Sequence, residues 1–351
     1  MTTLTRSNWM LYGAYGNTGR LILDEALGRG HRPVLAGRDS VQLAALEQAT
    51  GLSTLHLPLD DGAALRSALS RVRCVLLAAG PYRLTGPPMR AACLETGCSY
   101  LDLNGELEDF SAALACDPQA RTASIAVIAG VGYGVVFAEC LAAQLARRLP
   151  DATWLRLSLA TETRARSRGA QLSAAAATVA GGREISQGAL RTRPLAFSTW
   201  RAPGADGAKV RCAAAPLAEL VAVHRSTGIP NIVVGIPLSL ATAALMRVAG
   251  PLLGKALTRQ AARASHRVEP NLSVAAMAAL RSRVWAEAEN ATGARVAARL
   301  ETGEGYGAAA VAAVRALELQ LNEPRVGALT PVQAFGAGFA FLVPGTRIED
   351  V

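Results

Sequence analysis

The sequence predicts an α/β Rossmann domain built on a parallel sheet, joined to an α+β domain with a mixed or antiparallel sheet. Three observations predict it. A short apolar run, Trp9 to Tyr12, ends in Gly13-x-x-Gly16-x-x-Gly19 and passes at once into an amphipathic helical pattern. Strand and helix patterns then alternate as far as residue 130, and beyond it strand follows strand. Alternation requires crossover connections and hence parallel pairing. We read 1–130 as a nucleotide-binding domain, 131–330 as a substrate and dimerisation domain, and 331–351 as a C-terminal segment that packs back on the first.

Trp9 to Tyr12 reads as a buried parallel strand, and Leu21, Ile22, Leu23, Ala26 and Leu27 form the apolar side of the helix after it. Strand, glycine turn and helix together make a dinucleotide site of a glycine pattern. Gly13 permits the tight turn, Gly16 keeps side chains away from a pyrophosphate, and Gly19 lets helix and strand pack closely. The free N–H groups and the dipole of the helix start face the phosphates. Tyr15, Asn17 and Thr18 lie in the same turn and are expected cofactor contacts.

The second strand, His31 to Gly37, ends in Gly37-Arg38-Asp39. An NAD site places a carboxylate at this tip, about 20 residues past the glycines, to hold the ribose 2′-OH. Here Arg38 follows the tip instead. A guanidinium fork suits a 2′-phosphate that a carboxylate would repel, so the sequence favours NADP(H). Asp39 is read as the N-cap of the helix starting near Val41.

A third strand, Leu52 to Leu59, ends at Asp60-Asp61, and Ala63 to Leu69 is a helix. Cys74 to Ala79 is a continuous apolar run and therefore a buried central strand. It ends in Gly80-Pro81-Tyr82, before a helix from Pro87 to Thr96 with Gly97 as its C-cap. Ser99 to Leu103 is a strand ending in Asn104-Gly105-Glu106, and Ser124 to Ala129 is another, followed by Gly130 to Gly134. Ligands lie at the carboxyl ends of such strands. Asp60, the run Ala79, Gly80, Pro81 and Tyr82, and then Asp102 and Gly105 join the expected cofactor contacts.

Val135 to Leu149 reads as a helix. Thr153 to Ala160 alternates apolar and polar residues, the mark of a strand with one solvated face. Val210–Ala214, Ile232–Ile236, Val284–Asn290 and Val296–Glu301 are further strands. Pro237 to Leu257 is apolar but interrupted by Arg247, Pro251 and two glycines, which argues against a membrane span. From Arg247 to Arg283 there are seven basic residues and one acid, Glu269, with Arg259, Arg263 and Arg267 on one helical face. This stretch is either a core helix followed by a solvated one or a surface that meets membrane or a greasy substrate; peripheral membrane contact through 237–270 is the sharper expectation.

The chain has 351 residues, enough for two cores, and a formal charge of +9 with only Lys209 and Lys255 as lysines. No block of like charge resembles a nucleic-acid arm, and the basic excess fits an anionic cofactor. The six cysteines (74, 93, 98, 116, 140 and 212) lie apart, without the histidine cluster of a metal site. They read as reduced core residues, and Met1 to Asn8 lacks the apolar core of a signal peptide. The expectation is a cytoplasmic protein without metal or nucleic-acid ligands.

Several strings resemble the saccharopine dehydrogenase-like NADP-binding family, which includes the trans-acting enoyl reductases. They are Gly13-Ala-Tyr-Gly16-Asn-Thr-Gly19-Arg20, Leu35-Ala-Gly-Arg38, Ala79-Gly80-Pro81-Tyr82, Tyr100-x-Asp102-x-x-Gly105-Glu106, Gly130-Val-Gly-Tyr133, Ser226-Thr-Gly-Ile-Pro-Asn231, Gly303-Glu-Gly-Tyr306 and Thr330-Pro-Val-Gln-Ala-Phe-Gly336. The resemblance implies a Rossmann domain joined to an α+β domain, NADP(H)-dependent reduction and a homodimer formed through the second domain. The chain departs from the pattern on the substrate side. The family's aspartate after the aromatic is Gly134, its following proline and acid are Phe137 and Glu139, and its Pro-Trp-Gly-Asp is Pro216-Leu217-Ala218-Glu219.

Hydride transfer needs a proton donor near the atom that receives charge. Tyr82 and Tyr133 are either such donors or aromatic walls. Asp102 and Glu106 are either an acid/base pair or loop-holding acceptors, with the loop role favoured. His224 is either a proton carrier or a packed strand-end residue, and Glu139 is the best remaining acid after Tyr133. The expected function is an NADPH-dependent oxidoreductase acting on a C=C, C=O or C=N bond of a small-molecule or carrier-bound biosynthetic intermediate, of natural-product or lipid-like character. The alternative is an NADP-binding protein with redox-neutral chemistry, a cyclase, isomerase or cofactor sensor, motivated by the missing carboxylate at Gly134 and the change at Leu217–Glu219.

Overall fold

Apolar runs dictate the nucleotide half. In the computed structural model, which describes residues 9–162, 168–204, 208–263 and 279–351, each expected strand forms within its predicted window. These are β1 (Trp9–Tyr12), β2 (Val34–Gly37), β3 (Thr54–His56), β4 (Cys74–Leu77), β5 (Ser99–Asp102) and β6 (Ala126–Ile128). All side chains of β1, β4 and β5 are buried, as strands covered on both faces require. The helices are α1 (Asn17–Gly28), α2 (Ser40–Thr50), α3 (Gly62–Leu69), α4 (Tyr82–Thr96), α5 (Leu107–Ala115) and α6 (Asp117–Thr122).

The chain divides into two units, and the first comprises 9–104, Glu108–Gly132 and Ala309–Phe335 among the described residues. Its sheet runs β15-β6-β5-β4-β1-β2-β3, where β15 is Gly327–Leu329, and each pairing is parallel. The strand order reverses at β1, which lies between β4 and β2. A crevice at the carboxyl end of that reversal is where a nucleotide binds in this architecture.

The second unit comprises Gly105–Leu107, Tyr133–Ala308 and Gly336–Val351 as far as described. Its strands are β7 (Ala152–Thr161), β8 (Gly182–Ser186), β9 (Ala189–Arg193), β10 (Thr199–Pro203), β11 (Lys209–Ala214), β12 (Asn231–Pro237), β13 (Ser282–Asn290), β14 (Arg295–Thr302) and β16 (Arg347–Asp350). The order is β10-β11-β12-β7-β13-β14-β16, with β8 joining β12 and pairing β9. β12 and β7 are parallel and their neighbours antiparallel, so the sheet is mixed. Helix α7 (Tyr133–Arg148) packs on β13, β14 and α9 (Glu219–Thr227), and its inner side, from Val135 through Leu145, is buried. The remaining helices are α8 (Arg168–Ala180), α10 (Leu240–Arg263), α11 (Gly305–Asn322) and α12 (Pro331–Phe335).

Three expectations are corrected. Helix α4 begins at Tyr82, five residues before the predicted Pro87, with Pro87 and Pro88 inside it. Its first turn is held by Leu84 and Thr85 N–H groups on Pro81 O, at 3.0 and 3.2 Å, and by the Thr85 hydroxyl, so the missing proline N–H groups do not end it. The single 131–330 domain does not hold: 309–335 belongs to the first unit, where β15 extends the parallel sheet on β6. The 331–351 segment is divided as well. After Phe335 the chain belongs to the second unit, where β16 satisfies the edge of β14 and Arg299 and Arg347 pair with Glu349 and Glu301. Helix α10 runs through Gly250, Pro251 and Gly254 without a break. Its glycines serve packing, because a Cβ on Gly250 would overlap Leu195 and one on Gly254 would lie 2.8 Å from Val179 N. Among the described residues no helix is long and apolar enough to cross a membrane. Of the predicted basic face, Arg267 lies outside the described residues, as do the side chains of Arg259 and Arg263.

Candidate functional site

The glycine turn is built by steric exclusion. Gly13 has φ +86°, a region that favours glycine, and its N–H donates to Ala36 O at 2.8 Å. A Cβ there would sit 2.8 Å from the Ala79 methyl, so the end of β4 touches the turn directly. A Cβ on Gly19 would overlap the Gly13 carbonyl, so only glycine lets α1 start against the turn. Gly16 is the N-cap of α1 and has no side chain to satisfy the first-turn N–H groups. Such a helix start is an anion cradle. Asn17 is exposed and Thr18 half-buried at that start. These residues fit a dinucleotide pyrophosphate.

The tip of β2 carries the selectivity argument. Asp39 is the N-cap of α2, and its Oδ1 accepts from Val41 and Gln42 N–H groups, both at 3.1 Å. Its carboxylate is thereby committed to the helix, as expected. Arg38 has an exposed side chain and a fixed backbone: its N–H donates to the Tyr15 hydroxyl at 3.1 Å and its carbonyl lies 3.1 Å from His56 Nε2. Tyr15 is held in turn. Arg20 Nε donates to its carbonyl at 3.1 Å, and its ring lies so close to Gly37 that a Cβ there would be 2.5 Å from Cε1. Burial pushes the Tyr12 phenol up, Tyr15 and Asp60 add to the shift, and Arg38 opposes it, so the three side chains converge near Tyr12. Arg20, Gly37 and His56 were not singled out from the sequence. Their roles depend on which loops lie side by side.

At the other strand ends, the Gly80-Pro81 peptide is cis and Tyr82 is half-buried at the first turn of α4. Asp102 corrects the expected cofactor contact. It is fully buried, its Oδ1 accepts from Asn104 N at 2.9 Å and Gly130 N at 2.8 Å, and its Oδ2 accepts from the Tyr100 hydroxyl. Burial still outweighs these bonds and raises its pKa to about 6. The favoured loop-holding role is the one its geometry supports. Beside it, Arg90 makes a bidentate pair with Asp109 at 2.6 and 2.9 Å, and Asn104 Nδ2 donates to the same carboxylate at 2.7 Å. Gly105 is exposed, and a Cβ there would meet nothing within 4 Å. Glu106 accepts from the Ser173 hydroxyl at 2.6 Å, a contact within the second unit.

In the second unit the expected donors are redistributed. The Tyr133 hydroxyl lies 3.0 Å from Arg283 O and 3.3 Å from Ala160 O, so its single proton is spent on main-chain carbonyls that anchor α7 to the sheet. Burial raises its pKa, and Glu219 adds to the shift. Glu139 is fully buried on the core side of α7, away from solvent. His224 is not at a strand end: it lies in the last turn of α9, half-buried, with Nδ1 3.0 Å from Ile229 O. Glu219 was not expected as a site residue. It starts α9, is 4% exposed, and lies where a Cβ on Gly134 would overlap its Oε1. No hydrogen-bond donor reaches its Oε2 among the described residues, and burial raises its pKa to about 7. A carboxyl that exchanges its proton near neutral pH suits general acid work. The signal was present in the sequence as two linked departures, an acid lost at 134 and an acid one methylene longer at 219.

Comparison with known proteins agrees with this geometry. The NAD(P)H-binding family matches residues 13–97. A probable mitochondrial saccharopine dehydrogenase-like oxidoreductase of Arabidopsis thaliana is 32% identical over 115 residues, and a trans-acting enoyl reductase of Mycobacterium leprae is 37% identical over 105. Each match covers 28% of this chain and 25% of the relative, so the chain matches only about a quarter of these relatives' length. Apo saccharopine dehydrogenase (L-Glu forming) of Saccharomyces cerevisiae superposes with a TM-score of 0.64, covering 98% of this chain and 100% of that one at 13% identity. That likeness speaks to the fold.

Proposed function

We propose that the chain belongs to the saccharopine dehydrogenase-like NAD(P)-binding family, whose relatives it matches over its nucleotide half, and that it is an NADP(H)-dependent reductase of a C=C, C=O or C=N bond. The observation that carries the choice of NADP(H) is the tip of β2. The one acid there caps α2, while an exposed guanidinium stands on a backbone fixed from both sides. A 2′-phosphate gains a charged partner at this place, and the Asp39 carboxylate, committed to the α2 N-terminus, is not free for a 2′-OH. Residues Gly13 to Gly19 and Ala79 to Tyr82 hold the pyrophosphate and nicotinamide halves, and Asp60 borders the adenosine end. Bound NADPH would supply the hydride. The redox-neutral alternative rests on the acid missing at Gly134 and on the change at Leu217–Glu219.

The substrate class we propose is an apolar small molecule or carrier-bound intermediate, handled by a homodimer. Exposed Leu245, Val248 and Leu252 along α10 support a greasy partner. The test is stoichiometry. Purified protein is incubated with NADPH and a panel of enoyl thioesters, ketones and imines, and coenzyme loss is compared with product formed. One NADPH consumed per product is the expected result; product formed with NADPH unconsumed overturns the reductase reading in favour of a redox-neutral enzyme.

A further inference from the structure

The Tyr15 hydroxyl is placed unlike an ordinary core phenol. It accepts two backbone N–H groups at once, Arg38 at 3.1 Å and Asp39 at 3.2 Å. Both oxygen lone pairs are thereby used, and the hydroxyl hydrogen is left with the remaining direction, away from the main chain. Among the described residues no acceptor takes that hydrogen. Tyr15 is half-buried, its ring is fixed against Gly37 and its own carbonyl is held by Arg20. The phenol is therefore a rigid donor standing over the strand tip that presents Arg38.

Two donated N–H bonds polarise a hydroxyl and make its own O–H a better donor. The same two N–H groups, at the start of α2, would otherwise be open to an anion. The phenol thus converts a pair of main-chain donors into one donor set farther out from the backbone.

We infer that Tyr15 is a specificity residue for NADP(H): accepting the Arg38 and Asp39 N–H groups, it donates its hydroxyl proton to the 2′-phosphate that Arg38 neutralises. The inference rests on the NADP(H) reading above and adds to it a neutral, directional partner for the phosphate. A 2′-OH has no negative charge to draw this donor, so the contribution falls on NADP(H) and not on NAD(H).

Tyr15→Phe keeps the ring against Gly37 and removes only the hydroxyl. Wild type and variant are titrated with NADPH and NADH, and with 2′,5′-ADP and 5′-AMP as competitors, with melting temperatures confirming that both are folded. The expected result is a loss of about 10- to 100-fold in affinity for NADPH and 2′,5′-ADP, with NADH and 5′-AMP unchanged. Gly37→Ala, which pushes the ring away, shifts selectivity in the same direction. Unchanged or tighter NADPH binding by Tyr15→Phe overturns the inference, since the freed N–H groups then serve the phosphate directly. Equal losses for NADPH and NADH also overturn it, because they report a purely structural tyrosine. A wild-type protein that prefers NADH sinks the NADP(H) reading together with the inference, whereas a wild-type preference for NADPH that Tyr15→Phe leaves undiminished sinks the inference alone.

Discussion

Asp102 in the first unit and Glu219 in the second are both carboxylates withdrawn from solvent, and their surroundings differ in kind. Asp102 receives three donors, Tyr100, Asn104 and Gly130, and lies next to the Arg90–Asp109 pair. Glu219 lies beside a glycine, with one oxygen that no donor reaches among the described residues. A buried acid with all its acceptors used fixes a loop. A buried acid with an unused oxygen and a raised pKa is prepared to hold and release a proton. Asp102 spends its oxygens on holding a loop, whereas Glu219 keeps one oxygen that no donor reaches among the described residues.

The largest effect should come from the satisfied side. Asp109→Ala leaves the Arg90 guanidinium buried without its partner and strips Asn104 of its acceptor. Loss of one member of a buried pair costs about 3–5 kcal/mol, read as a lower denaturant midpoint. A cost below about 1 kcal/mol would show that water replaces the carboxylate and that the network is not rigid.

Glu219 makes a pH-dependent prediction of opposite character. Its folded pKa of about 7 lies above the ordinary 4.5, so the folded state holds the proton more tightly than the unfolded chain. The stabilisation is complete below pH 4.5 and is lost as pH rises through about 7. Glu219→Gln cannot ionise. Between these limits the wild type should lose on the order of 3 kcal/mol relative to this variant. Asp102, also raised, titrates in both proteins and cancels from the difference. A pH-independent gap between the two unfolding curves would remove the distinction between the two acids.

Gly134→Ala probes the same contact. The new methyl overlaps the Glu219 carboxylate, and such overpacking costs about 1–3 kcal/mol. In a Glu219→Ala background the cost should nearly vanish, because the two positions are coupled. Equal costs in both backgrounds would place the clash elsewhere. Smallest of all, Tyr133→Phe removes one donor from main-chain carbonyls and should cost about 1 kcal/mol, without altering NADPH affinity in the same titration.

Much of the first unit is legible in the sequence because it is local. Trp9 to Tyr12 and Cys74 to Leu77 are continuous apolar runs, and continuous runs fix buried parallel strands wherever the rest of the chain goes. The Gly13–Gly19 turn and the Asp39 cap are set within a few residues of themselves. Legibility fails where the determinant is distant. Pro87 reads as a helix start until the bonds of Leu84 and Thr85 to Pro81 are seen. Gly250 and Gly254 read as interruptions, yet they face Leu195 and Val179. Strands β8 to β10 are short, and β9 is largely exposed, so no apolar period announces them. The exchange between Gly134 and Glu219 is visible as two separate departures, but only the fold shows that they meet.

The most direct test of the account is a fluorescence titration with NADPH and with NADH, on wild type and on Arg38→Ala. The account predicts that wild type binds NADPH at least about tenfold more tightly, a difference of roughly 1.4 kcal/mol, and that the substitution erases the gap by weakening NADPH alone. Equal binding of both nucleotides by wild type, or a gap that survives the loss of Arg38, would contradict it.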